Sequence, residues 1–300
     1  MPDVRNRYLY GPMNQRLLNW GIFLLLSLTW GSSFILMKLG LESFSPYQVA
    51  SIRLISAGLA LLPVFFSYIG KTPLKKIPVI ILSGLLGNGI PAYLFCIAET
   101  RIDSSLAGML NSFTPVFALI FTVSLFHAPV AKRQLTGLAI GFVGVICLFL
   151  AKGIGTNAYW YYGFFVILAT ACYGLNIALV HHYLKEFASL QLVSISLFFM
   201  ALFALPILLF SDFFTVFGQA EGAYTSLAAS VTLGLMGTGV ASILFYQLIR
   251  SAGAIFASMV TYGLPVVAIG WGVLAGEDIN PLQVICLAVI MGGVYLVNRK

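Results

Sequence analysis

Two stretches of this chain repeat one another. Gln48, Ser51, Ile52, Leu54, Leu62 and Pro63 match Gln191, Ser194, Ile195, Leu197, Leu205 and Pro206. Gly84, Leu85, Gly87, Gly89, Leu94 and Phe95 match Gly234, Leu235, Gly237, Gly239, Leu244 and Phe245. Ala107, Met109, Pro115 and Ala118 match Ala257, Met259, Pro265 and Ala268, and Gln134, Leu138, Ala139, Gly144 and Val145 match Gln283, Leu287, Ala288, Gly293 and Val294. The four blocks are collinear, so residues 21–151 and 163–298 carry one unit twice. Hydrophobic residues make up 60% of the chain and charged residues 8%, where soluble domains carry about 25% charged residues. No soluble fold covers that much apolar surface, so the solvent is a bilayer. Repeats of an apolar unit inside a membrane point to a transporter.

A span needs about 20 mostly apolar residues. Ten segments qualify: 17–39, 46–69, 76–98, 103–126, 132–151, 160–184, 190–210, 224–250, 253–276 and 280–298. The first is too long for the apolar core of a signal peptide, and nine more follow it. Lengths suit helices, and the alternation of a lipid-facing barrel strand is absent. Pro46, Pro73, Pro129 and Pro281 fall at or near segment ends, where proline is tolerated.

The basic residues set the orientation. Arg5, Arg7, Arg16, Lys71, Lys75, Lys76, Lys132, Arg133, Lys185, Arg250, Arg299 and Lys300 share one side; Lys38, Arg101 and Lys152 lie on the other. Under the positive-inside rule both termini are expected in the cytoplasm. The net charge of +7 is thus a topology signal, and no nucleic-acid partner is expected. The expected parts are a cytoplasmic segment 1–16, a first five-helix repeat 17–151 and a second repeat 152–298. An odd number of spans per repeat makes the second copy enter from the opposite face, so the two are inverted.

With that architecture, particular residues resemble a known family. Trp30-Gly31-Ser32-Ser33-Phe34 and Lys38 are similar to the opening motif of EamA-type proteins. Arg53 stands where that family carries an arginine in its second helix. Asn111–Pro115 and Thr261–Pro265 resemble its proline-bearing fourth and ninth helices, and Gly276-Glu277, Pro281-Leu282-Gln283 and Gly292-Gly293-Val294 its closing stretch. One departure is visible: the turn after helix four reads Phe126-His127-Ala128-Pro129, with His127 in the place of Glu277. The resemblance implies the drug/metabolite transporter superfamily, with helices 1–4 and 6–9 around a central cavity and helices 5 and 10 peripheral. The expected fold is an all-α integral membrane protein of ten transmembrane helices, two inverted five-helix repeats around that cavity. The resemblance leaves the substrate open.

Arg53 lies about 10 Å into the membrane at 1.5 Å per residue past Pro46. Burial of a guanidinium at such depth demands protein or water contact. Its readings are a structural or gating pair with an acid such as Glu99 or Asp103, a substrate contact, or a snorkelling side chain. Lys38 reads as an interfacial lysine or an outer gate. Asn88, Asn111 and Asn176 sit inside spans, where an unpaired carboxamide is costly, so they face the bundle as helix-to-helix bonds or cavity groups. Gly84-x-x-Gly87-x-Gly89, followed by Pro91, recurs as Gly234-x-x-Gly237-x-Gly239. It permits either a hinge or close packing. Trp20, Trp160, Tyr161 and Tyr162 read as interfacial anchors. Trp30, Phe34, Tyr93, Tyr173, Tyr246 and Tyr262 are the aromatic cavity candidates, against core packing; Trp271 is also deep.

No catalytic or metal site is expected. His181 and His182 are adjacent and cannot share a helix face. Cys96, Cys147, Cys172 and Cys286 fall in apolar segments as buried thiols without metal-ligand spacing. No ATP-binding motif or cofactor signature is present. The expected function is secondary transport of small metabolites, amino acids or similar amphipathic solutes, across a bacterial inner membrane by alternating access. The partners would be a small solute and the bilayer, with oligomeric state open. The alternatives are a multi-pass membrane enzyme acting on lipid-like substrates, or a channel.

Overall fold

Inside a bilayer the backbone must satisfy its own hydrogen bonds. The computed structural model, which describes residues 12–102, 104–152, 159–267 and 281–298, does so with helices, and no strand occurs among the described residues. In chain order these are α1 (Pro12–Leu41), α2 (Pro46–Ala60), α3 (Leu62–Ile69), α4 (Leu74–Glu99), α5 (Ser104–Asn111), α6 (Thr114–Ser124) and α7 (Lys132–Lys152). The second half continues with α8 (Gly163–Leu184), α9 (Ser189–Leu209), α10 (Phe213–Gln219), α11 (Ala223–Ala252), α12 (Ala254–Val267) and α13 (Pro281–Asn298).

By length and composition six of the described helical runs can cross a bilayer: those in α1, α4, α5–α6, α8, α9 and α11. The bent pair α2–α3 makes a seventh, and shorter apolar helices lie in α12 and α13. Their outer faces are apolar too. On α1, Phe23 and Leu26 are fully buried while Leu24, Leu25 and Leu28 are about half exposed. On α9 the exposed residues include Leu202, Phe203, Leu205 and Leu209. Such a surface is stable against lipid chains.

Two breaks differ from the sequence expectation. The 46–69 segment, expected as one helix, bends by 59° between α2 and α3. Pro63 at the start of α3 has no N–H, and its ring crowds the preceding turn. Its counterpart Pro206 sits inside an unbroken α9, one turn before the end. The glycine motifs do more than bend. Each forms a wide π turn, Leu85–Gly89 in α4 and Leu233–Val240 in α11. The second copy has no proline beside it, so the shared glycines, not Pro91, account for the widening. Pro91 opens the helical stretch that follows the first π turn.

The repeats pack on each other in matching ways. Ser45 caps α2 through a capping box with Gln48, and the Gln48 amide donates to the Ser211 carbonyl just past α9, at 2.6 Å. Its counterpart Gln191, at the start of α9, donates to the Thr72 hydroxyl just past α3, at 2.8 Å. The start of each helix thus meets the end of the other, and α2–α3 runs antiparallel to α9. Gly84 of α4 lies against Ser196 of α9, and Gly234 of α11 lies against the Arg53 carbonyl of α2. Ser196 is the counterpart of Arg53. Peripherally, Gly137, Gly141 and Gly144 of α7 meet Val297, Gly293 and Ile290 of α13, again antiparallel.

Two ends can be told apart. At one, Asn19 accepts from the Ser251 hydroxyl, Arg250 donates to the Lys185 carbonyl, and Lys76 pairs with Glu186 at 2.9 Å. At the other, Lys38 donates to the Ile102 carbonyl and Ser43 to the Glu221 carbonyl.

Candidate functional site

Between the halves lies a cavity of about 750 Å³, its open mouth included. Residues from α1, α2, α4, α5–α6, α8, α11 and α12 wall it. The wall is built in pairs. In the register that matches Gln48 with Gln191 and Gly84 with Gly234, the lining residues Trp30, Ser33 and Phe34 correspond to Tyr173, Asn176 and Ile177. Gly87, Phe95, Asn111 and Thr114 correspond to Gly237, Phe245, Thr261 and Leu264, also in the wall.

The contacts repeat as well as the positions. The Trp30 ring meets Phe245 at 5.0 Å, and the Tyr173 ring meets Phe95 at 6.0 Å. Gly237 backs onto Ser33, and Gly87 backs onto Asn176. At both places the missing β-carbon lets a polar side chain from the other half approach the helix. The Trp30 indole donates to the Gly237 carbonyl at 2.8 Å, satisfying one carbonyl of the π turn. Phe34 and Phe95 lie 6.1 Å apart toward the end that carries Lys38.

The polar groups break the symmetry. Asn176 accepts from the Ser83 hydroxyl at 2.7 Å and donates to the Tyr246 hydroxyl at 3.2 Å, and Ser83 and Tyr246 are 3.1 Å apart. This buried ring of three ties α4, α8 and α11 together, with Asn176 and Tyr246 in the wall itself. Asn88 accepts from Ser242 at 3.1 Å, and Asn111 accepts from Thr114 at 3.1 Å. Arg53 Nε donates to the Thr238 hydroxyl of the α11 π turn at 2.5 Å.

Of the residues expected at a cavity, Trp30, Phe34, Asn88, Asn111, Tyr173, Asn176 and Tyr246 lie in this wall, as do Arg53, Gly87 and Gly237. Tyr93 and Tyr262 lie elsewhere. Tyr93 is half-buried, its hydroxyl 2.9 Å from that of Ser51. Tyr262 is fully buried behind the wall, packed on Gly141, and donates to the Leu138 carbonyl at 3.3 Å. Gly89 backs onto Met200, and Gly239 has ordinary contact space. Arg53 faces the bundle, as its depth requires, yet among the described residues its direct partner is a hydroxyl rather than an acid. Lys38 is exposed, and its ammonium reaches a helix-end carbonyl at 3.4 Å. Glu99 is only 2% exposed; Oε2 accepts from Ser104 at 3.4 Å, and Oε1 has no hydrogen-bond partner. Lys38 and Arg53 both act on it electrostatically. His127 ends the first half's helical hairpin in a left-handed conformation, φ 47°. His182 stacks on Phe126 at 4.6 Å. Cys147 is exposed and Cys172 half-exposed, contrary to the expectation that all four thiols are buried. Asp103, Trp271 and Glu277 lie outside the described residues, as does the Trp160 side chain.

Sequence reasoning did not nominate Phe95, Phe245, Ser83, Thr238 or Ser242. Phe95 and Phe245 carried a usable signal: they are a matched pair that survives in both copies. The hydroxyls carried none, since serine and threonine are common throughout such helices.

The model of the EamA-like transporter family matches residues 19–150 and again 160–299. The uncharacterized inner membrane transporter YedA of Escherichia coli (strain K12) is 27% identical over 292 residues, covering 93% of this chain and 90% of that protein. The "probable terminal-alkyne amino-acid exporter" of Streptantibioticus cattleyicolor is 24% identical over 293 residues, covering 94% and 93%. The "probable amino-acid metabolite efflux pump" of Salmonella typhimurium is 25% identical over 295 residues, covering 91% and 92%. A solved crystal structure superposes with a TM-score of 0.69 at 17% identity, covering 94% of this chain and 96% of that one, which is a likeness of fold.

Proposed function

The chain belongs to the EamA-like transporter family, and on that premise we propose that it is a secondary transporter of small amphipathic metabolites, amino acids or close relatives. It works by alternating access across an inner membrane, with ten spans in two inverted five-helix repeats and both termini cytoplasmic. The observation that carries this reading is the pairing of the cavity wall. Trp30–Phe245 and Tyr173–Phe95 are equivalent contacts contributed in reverse by the two halves. If each half can adopt the conformation of the other, one chain has two states, and the cavity opens to each face in turn.

The π turns support that exchange. Both lie where a glycine-backed helix crosses the opposite half, and π turns cluster at functional sites. The antiparallel contact of α2–α3 with α9 supports inversion. Relatives named as amino-acid exporters support the solute class. The mixed lining, with aromatic rings beside carboxamides and one guanidinium, suits a solute with an apolar body and a polar head. Counterflow in proteoliposomes with labelled amino acids and their derivatives tests the reading. Saturable, solute-specific counterflow is the expected result. Flux without saturation or counterflow would indicate a channel.

A further inference from the structure

We propose that the guanidinium of Arg53 is the cavity's anchor for a carboxylate, so that the solute is an organic acid or amino acid whose carboxyl group is required for binding. This rests on the transporter reading above and narrows its substrate class. Three observations converge on it.

The first is the state of the guanidinium. Arg53 is 8% exposed and lies in the cavity wall. Its Nε is occupied by Thr238. Its two terminal nitrogens bond to no other side chain or carbonyl among the described residues, and they are not buried unpartnered atoms, so they meet the open cavity. Thr238 fixes the plane of the group and leaves the terminal nitrogens as the free donors. Planar carboxylates pair with that group through charge-assisted bonds.

The second is charge balance. Among the described residues in the wall, Arg53 is the one that carries charge; no acid lines the space. Glu99 is buried away from the wall, where Lys38 acts on it more strongly than Arg53 does. The charge that faces the cavity among the described residues is therefore a cation, which an anionic group pairs with.

The third is asymmetry. The wall is otherwise paired between the halves, but the counterpart of Arg53 is Ser196, buried outside the wall and bonded to its own helix at the Val193 carbonyl. A structural charge serving both crossings would be present twice. One cation among the described residues of a doubled wall gives the solute one head-group position, beside the apolar rings of Trp30, Phe34, Phe95, Tyr173 and Phe245.

The test is calorimetric binding to the purified full chain in detergent, with solutes sharing one phenyl body. Hydrocinnamate is compared with hydrocinnamide, and phenylalanine with phenylalaninamide. The carboxylate member should bind at least about tenfold tighter, as loss of a charge-assisted bond implies. In Arg53→Gln that ratio should fall toward unity. In Thr238→Val, which keeps the charge but frees its plane, the carboxylates should weaken several-fold and the amides should not. Should Arg53→Gln fail to fold, the wild-type ratio and Thr238→Val still decide. Amides that bind as well as acids, acids that do not bind, or a preference that survives Arg53→Gln would overturn the inference. Counterflow of a neutral solute alongside any of these leaves the transporter reading standing. Binding of the acids without counterflow of any solute defeats that reading and leaves the anchor.

Discussion

Gly234 lies directly against the backbone carbonyl of Arg53, so that a β-carbon on the glycine would overlap it. A looser approach joins Gly84 to Ser196, whose Cβ and carbonyl oxygen would lie 2.9 and 3.2 Å from an added β-carbon. In each half, then, the first glycine of the π-turn motif is a contact point between the repeats. Without a driving force from water, helices in lipid associate through such close backbone approach.

Alanine at Gly234 should destabilise the protein by about 1–3 kcal/mol, because backbone atoms cannot move aside as a flexible side chain can, and alanine at Gly84 by less. Gly239→Ala is the control: its nearest neighbours would lie at 3.6 and 4.0 Å, ordinary contact distances. Thermal unfolding in detergent reads the difference. Equal melting temperatures for Gly234→Ala and Gly239→Ala would refute the crossing.

Gly87→Ala should act differently. Its new β-carbon meets the amide of Asn176 and the Tyr246 hydroxyl, a polar cluster able to rearrange. Counterflow should fall several-fold while folded protein persists. Parallel loss of both would show that Gly87 serves packing alone.

The ring of Ser83, Asn176 and Tyr246 should behave as one unit. Tyr246→Phe removes contacts of 3.1 and 3.2 Å and should cost roughly 1–2 kcal/mol, the scale for bonds between membrane helices. A double-mutant cycle with Asn176→Leu should show the combined loss to be smaller than the sum. Strict additivity would mean that the three bonds are independent.

Glu99 buries a carboxyl group whose Oε1 is unbonded, and Lys38 is the strongest of the charges acting on it. Lys38→Met should lower the yield of folded protein in the wild-type background and have less effect beside Glu99→Gln, where no acid is left for it to act on. An equal effect in both backgrounds would separate the two residues.

Reporter fusions check the topology. A reporter active only in the cytoplasm should work at either terminus, following the bias of the basic residues. Activity at one end alone would require an odd number of spans and would remove the inverted-repeat arrangement.

Much of the fold was legible because a bilayer leaves so few choices. Apolar runs must be helices, and their edges follow proline and charge. The repeat, the glycine motifs and the burial demand on Arg53 could all be read from residue types and spacing. The tertiary structure decided what spacing does not encode. It put the break at Leu61, close to Pro63, but left the matching Pro206 within an unbroken α9, a difference that residue type alone does not encode. It turned the glycine motifs, which permit either a hinge or close packing, into π turns. It placed Tyr262 behind the cavity and Phe95 and Phe245 in its wall, because the face a side chain presents follows from how helices cross. Arg53 shows both contributions: its sequence required a buried partner, and only the crossing of α2 with α11 chose the Thr238 hydroxyl.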